Sequence, residues 1–179
     1  MDSVLLAGYD IEMLRMKMNA EPTSKLWAYL VTRWEGIAAR CIEEGKPFDQ
    51  GAVGWHGITP MVVEAAVIFR LTGRADAKAH ALVCIDHLMQ TYGGTPTPDE
   101  LRMMGKGAQN HTLRPKVHSH GEVALAADIL RNDLPPATRA AVSQLMRTTC
   151  IPFTNFRDGL AGYSSGGNVI LCQNINAAI

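Results

Sequence analysis

The chain has 179 residues, 47% of them apolar, and its 17 basic and 17 acidic side chains cancel at neutral pH. That is long enough for one domain with a proper core, short for two, and too apolar for a disordered tail. The balanced charge gives no global field for nucleic acid or a membrane surface, so any charge signal is local. No apolar run approaches the roughly 18 residues of a membrane span.

The opening stretch MDSVLLAGYD has a short apolar patch but neither a basic start nor a cleavage site, and does not read as a signal peptide. Ile11 to Met18 is predicted as a short helix that ends around Asn19-Ala20-Glu21-Pro22. A longer helix follows from Thr23 to about Glu44, with Leu26, Leu30, Ile37, Ala38 and Cys41 on one side. Gly45-Lys46-Pro47 stops it, and the Gly- and Pro-bearing stretch from Lys46 to His56 reads as a loop.

Gly57 to Tyr92 is the clearest element of the sequence. Apolar residues at Ile58, Met61, Val62, Ala65, Ala66 and Phe69 keep helical spacing throughout. Leu71-Thr72-Gly73-Arg74 breaks the pattern, with Gly73 suited to the left-handed residue that closes a helix. A second stripe runs through Ala81, Cys84, Ile85, Leu88 and Tyr92. Helices joined by so short a turn lie antiparallel and cover each other's apolar faces.

Gly93 to Val117 is irregular, with at most a short helix near residues 99–104. Ser119 to Glu122 fits a capping box and predicts a helix with Val123, Ala126, Ala127 and Leu130 as its stripe. Asn132-Asp133-Leu134 turns the chain, and Pro135-Pro136 starts another helix with Ala141, Val142, Leu145 and Met146 facing inward. Ile151 to Gly167 reads as loop, and Asn168 as the cap of a last helix that runs to Ile179 without a stop signal, as in a fragment of a longer helical array. The four cysteines, Cys41, Cys84, Cys150 and Cys172, are widely spaced without a CxxC pair, so buried thiols are expected rather than disulfides or metal ligands. Strand-like alternation is absent. The class is all-α, a single domain over residues 1–179 built of stacked antiparallel helical hairpins.

This layout has a functional corollary. The short turns at Gly73 and Asp133 share one end of the stack, so the long loops 46–56, 92–118 and 149–167 share the other. Each leads into a helix N-terminus, whose free N–H groups suit an anionic ligand. Long loops in compact domains tend to carry function. Between Leu101 and Gly121 there is no acidic residue, while Arg102, Lys106, Arg114 and Lys116 are basic and His111, His118 and His120 fall in the same window. This is either the wall of a groove for a polyanion or a solvated basic loop. His118-x-His120 lacks a third ligand of clear spacing, so no metal site is assigned.

Trp55-His56 ends the first long loop, where the indole could stack on a sugar ring or seal the end of a hairpin. Arg157 and Tyr163 occupy the third, Tyr163 as a proton donor or a packing residue. Asn174 and Asn176 are poor helix formers inside a helical stripe, which suggests carboxamides holding a carboxylate or the capping of an irregular helix start.

Taken together, Leu14-Arg15-x-Lys17 before Pro22, the Trp27/Trp34 helix, Thr72-Gly73-Arg74-Ala75-Asp76 at the hairpin turn, Asp133-Leu134-Pro135-Pro136-x-x-Arg139 and above all Asn174-x-Asn176-Ala177 resemble the α/α-toroid domain of heparinase II/III-like polysaccharide lyases. The resemblance implies a partial (α/α) toroid forming the N-terminal part of a larger lyase, and β-elimination at a uronic acid of an acidic polysaccharide. It implies Asn174 or Asn176 as the carboxylate neutraliser and places the family's tyrosine beyond Ile179, so within the chain Tyr163 is the candidate for the proton transfer on its loop position alone. Trp55, His56, His111, Arg114, His118, His120 and Arg157 would bind substrate, with no metal or cofactor. Ile175 stands where the best-defined members have a His after the Asn. An α/α-barrel glycoside hydrolase is the enzyme alternative and needs two carboxylates across a groove; Asp49, Asp99, Glu100 and Asp158 are the acids in the loops. A non-catalytic helical scaffold that binds glycan or protein is the third reading. No nucleic-acid partner and no membrane insertion are expected.

Overall fold

The computed structural model of the chain describes residues 10–43, 58–92 and 113–147, with only the backbone described at 40–43, 58–61, 91–92 and 113–120. Within these residues the structure is all-helical. The helices are α1 (Ile11–Met18), α2 (Thr23–Glu43), α3 (Ile58–Thr72), α4 (Ala75–Tyr92), α5 (Leu113–Ile129) and α6 (Pro136–Leu145).

Local chemistry sets most of these ends. The Asp10 carboxylate accepts from the Glu12 and Met13 amides at 2.9 and 3.3 Å and caps α1. At the end of α3, the Gly73 amide donates to the Phe69 carbonyl at 2.7 Å with Gly73 at φ +75°, the left-handed closure expected from Leu71-Thr72-Gly73-Arg74. Pro136 opens α6 at a first-turn position, where its missing N–H costs no helix bond.

The core lies where α3, α4 and α5 pack on one another. Val62, Ala65, Ala66 and Ile68 of α3 meet Ala77, Ala81, Cys84, Ile85 and Leu88 of α4 and Val123, Ala126, Ala127 and Leu130 of α5. The alanines let the three backbones approach closely, while Ile68, Ile85, Leu88 and Leu130 fill the remaining volume. Cys84 is a buried thiol in this core, as its helical context predicts. Trp34, Ile37 and Ala38 of α2 and Val142 of α6 close the core at its sides.

Three expectations need correction. α5 begins at Leu113, so Ser119 and Glu122 sit inside a helix rather than at its cap, and residues 113–118 are not loop. The expected stripe of α2 holds at Leu30, Ile37 and Ala38, but Leu26 is exposed and Trp34, which the stripe omitted, is the most deeply buried of the helix's described residues. Likewise Ala141 of α6 is exposed, whereas Val142 and Leu145 turn inward and Met146, just past the helix, packs against the core as expected.

Candidate functional site

Lys78, in the first turns of α4, reaches across to Asp133 in the α5–α6 turn, Nζ to Oδ1 at 2.6 Å. The same ammonium lies 5.2 Å from the centroid of the Phe69 ring. Arg15 of α1 adds a third tie there, its Nε donating to the Leu71 carbonyl at 2.7 Å. The two short turns therefore share one end of the bundle. A 15-residue helix such as α3 is about 22 Å long, so Ile58, Tyr92 and Leu113 lie at the opposite end. α3 and α5 run the same way, and α4 runs against both.

Among the residues singled out from sequence, Arg114, His118 and His120 belong to the first half of α5, at that opposite end. Trp55, His56, His111, Arg157, Tyr163, Asn174 and Asn176 lie outside the described residues. Helical register puts positions 118 and 120 about 200° apart around the α5 axis, whereas 114, 118 and 122 follow one another at i, i+4 along one ridge. The two histidine positions thus fall on different faces of the helix. Among the described residues no three His, Cys, Asp or Glu side chains are grouped to hold a metal ion, and no helix is long and apolar enough to cross a membrane.

The ridge of α5 leads to a polar site that the sequence reading passed over. Glu122, half-buried on α5, lies close enough to Glu64 on α3 to feel its charge. The Glu64 side chain is 14% exposed. Its Oε1 accepts from the Arg33 guanidinium of α2 at 3.2 Å, while its Oε2 is buried with no hydrogen-bond partner among the described residues. Burial pushes the Glu64 carboxyl above its ordinary range, against the opposing pull of Arg33. Burial and the charge of Glu64 do the same for Glu122. Carboxyls that resist ionisation inside a bundle are an environment used for general acids and also found in purely structural pairs. The signal in the sequence was Glu64 itself, one charge inside the apolar run Val62-Val63-Glu64-Ala65-Ala66.

A second polar cluster fastens α2 to the α3–α4 hairpin through three consecutive residues. Arg33 binds Glu64, and Glu35 pairs with Arg74 at the hairpin turn. Between them the Trp34 indole, 1% exposed, donates from Nε1 to Nδ1 of His80 at 2.9 Å. Arg74 lies over the Trp34 ring at 4.8 Å from its centroid. It also forks onto Asp76 through 3.1 and 2.7 Å bonds, which hold that carboxyl below its usual range. Trp34 and Arg74 belong to the Trp27/Trp34 and Thr72-Gly73-Arg74-Ala75-Asp76 segments noted above; here both serve to dock helices.

No family profile, no curated protein and no solved structure matches the chain.

Proposed function

We propose that this chain is part of the catalytic α/α toroid of a lyase that cleaves a uronic-acid-containing polysaccharide by β-elimination. The observation that carries the reading is Asn174-x-Asn176-Ala177, in a chain whose described part is a stack of antiparallel helical hairpins. The common end of the two short turns supports it, because Trp55, His56 and His111 stand in sequence just before helices that start at the other end.

In this reading the substrate carboxylate is met by the carboxamide of Asn174 or Asn176. Hydrogen bonds from that amide stabilise the enolate dianion that forms as the C5 proton leaves. Tyr163 takes part in the proton transfer, and the C4–oxygen bond breaks to leave a 4,5-unsaturated uronate. Trp55, His56, His111, Arg157 and one face of the start of α5, Arg114 with His118 or else His120, line the path of the acidic chain.

A second reading, an α/α-barrel glycoside hydrolase, draws on a separate observation: Glu64 of α3 and Glu122 of α5 are two carboxyls on packed helices, both held above the ordinary carboxylate range. The products separate the two. The protein is incubated with alginate, polygalacturonate, heparan sulfate and hyaluronan, and ultraviolet absorbance of unsaturated uronate and reducing ends are followed together. The lyase reading expects both signals to rise, with Asn174→Ala and Asn176→Ala lowering the rate about 10²–10³-fold while helicity is kept. Reducing ends without absorbance that are lost in Glu64→Gln would establish the hydrolase. Binding without either signal would establish a glycan-binding scaffold.

A further inference from the structure

The bond from Trp34 to His80 joins two helices through an atom that can act as an acceptor only while it is unprotonated. Nδ1 of a neutral imidazole accepts; once protonated, it becomes a donor and confronts the indole N–H with another N–H. His80 is buried, 7% exposed, and Trp34 is sealed still more completely. We propose that the Trp34–His80 contact is an acid-released latch, holding α2 on the α3–α4 hairpin at neutral pH and letting it go when the imidazole takes a proton.

Among the polar ties of α2 this bond is the one water cannot replace, while the apolar packing of Ile37 and Ala38 does not titrate. Arg33–Glu64 and Glu35–Arg74, the flanking grips, involve partly exposed side chains that water can replace at small cost. The indole is fully buried, so a lost acceptor leaves a donor with no water to turn to. The first effect of the proton is therefore on α2 rather than on the α3–α4–α5 core.

The charged groups on the elements around α4 set the direction. Arg74 stands over the Trp34 ring and adds positive charge beside the pair, which disfavours an imidazolium at that place. Its charge is shared with Glu35 of α2 and Asp76 of α4. Lys78 of α4 is tied to Asp133, and Glu64 of α3 to Arg33, with Arg70 further along α3. From α5 come Glu122 and the buried Asp128. None of these ties removes the requirement that Nδ1 be unprotonated to accept the indole proton. Glu64 titrates in the opposite sense: acid relieves its burial and favours the fold. Acid also weakens the Arg33–Glu64 tie, but that tie is kept in His80→Asn, so a change that disappears in that variant comes from His80 and not from Glu64.

The test is a pH series from 8 to 5 on the uniformly ¹⁵N-labelled chain. The Trp34 indole resonance is identified by its loss in Trp34→Phe, and amide exchange of α2 is compared with that of α4 after correction for intrinsic rates. The expected result is a shift of the Trp34 indole signal through the histidine range, with α2 exchange rising about tenfold relative to α4. In His80→Asn the side-chain oxygen takes the place of Nδ1 and cannot titrate, so both readouts become independent of pH. In Trp34→Phe, α2 exchange is fast at pH 8 and does not change further. The latch is overturned if the wild-type indole signal stays constant from pH 8 to 5, or if its change persists undiminished in His80→Asn. Should His80→Asn fail to fold, Trp34→Phe decides alone: α2 exchange that accelerates with acid in that variant as much as in the wild type also overturns it.

Discussion

Lys78 and Asp133 meet across 2.6 Å at the end of the bundle where both short turns lie, and so join the α3–α4 hairpin to the α5–α6 turn. The pair is only partly exposed, and the Lys78 ammonium also lies over the Phe69 ring. Asp133→Asn should therefore cost more than an open surface pair, about 0.5–1 kcal/mol after allowance for solvent screening. Urea unfolding at low and at high salt checks this. The loss should shrink with salt, and a variant with wild-type stability at low salt would show the pair contributes nothing.

Glu64 and Glu122 predict an unusual pH dependence. Each carboxyl is raised in the fold above its unfolded value, so its contribution is fully present below the unfolded pKa of about 4.3 and is lost as pH rises through the folded value. Glu122→Gln should stabilise the protein at pH 8 and change it little at pH 4. Glu64→Gln should gain less, because it also gives up the Arg33 bond. The double variant should gain less than the sum, since each change removes the other's repulsion. Thermal melts at the two pH values distinguish this from a pair that ionises freely, for which the variants would show no pH-dependent difference.

Gly73→Ala should destabilise by about 1 kcal/mol, because the residue holds φ +75°. Space is not the reason, since a methyl group there meets nothing within 4 Å. Gly73→Asn should cost less than Ala, as Asn enters the left-handed region more readily. Equal melting curves for Ala and Gly would remove the turn from the features that fix this hairpin.

Ala81→Leu tests the close approach of α3, α4 and α5. Ala81 is fully buried, as are Ala65, Ala66 and Ala126 of the facing helices. Three added carbons should force the helices apart at a cost of about 1–3 kcal/mol. Exposed Val83→Leu on the same helix is the control, with an effect within about 0.5 kcal/mol.

The helical class and most helix bounds were legible because the sequence punctuates them chemically. Asn19 to Pro22, Gly73 and Pro135-Pro136 stop or start helices by backbone rules that tertiary contacts rarely override. The start of α5 was misread because Ser119 and Glu122 have cap spacing. The competing signal was Thr112 before Leu113 with Pro115, a cap-type residue followed by a proline at a position where a first turn accepts it. The periodicity of α4 located Ala81, Cys84, Ile85 and Leu88 but was silent on His80, because a stripe counts apolar residues and passes over a buried polar one that has found its partner. Glu64 escaped for the same reason, and Glu122 because capping already accounted for it. The grouping of the short turns could be argued from helix lengths alone, whereas the hold of Arg33, Trp34 and Glu35 on positions 64, 80 and 74 depends on tertiary geometry that no local pattern encodes.

That hold makes α2 intolerant of one kind of change in particular. Three adjacent residues address three separate targets, and one extra or missing residue between Thr23 and Arg33 would swing the triplet by about 100°. An insertion or deletion there loses two ion pairs and the buried indole together, whereas a single substitution within the triplet loses one at a time. Lineages carrying this domain should therefore vary freely in the identity of exposed α2 residues such as Leu26 and Tyr29, yet keep the number of residues in that segment constant.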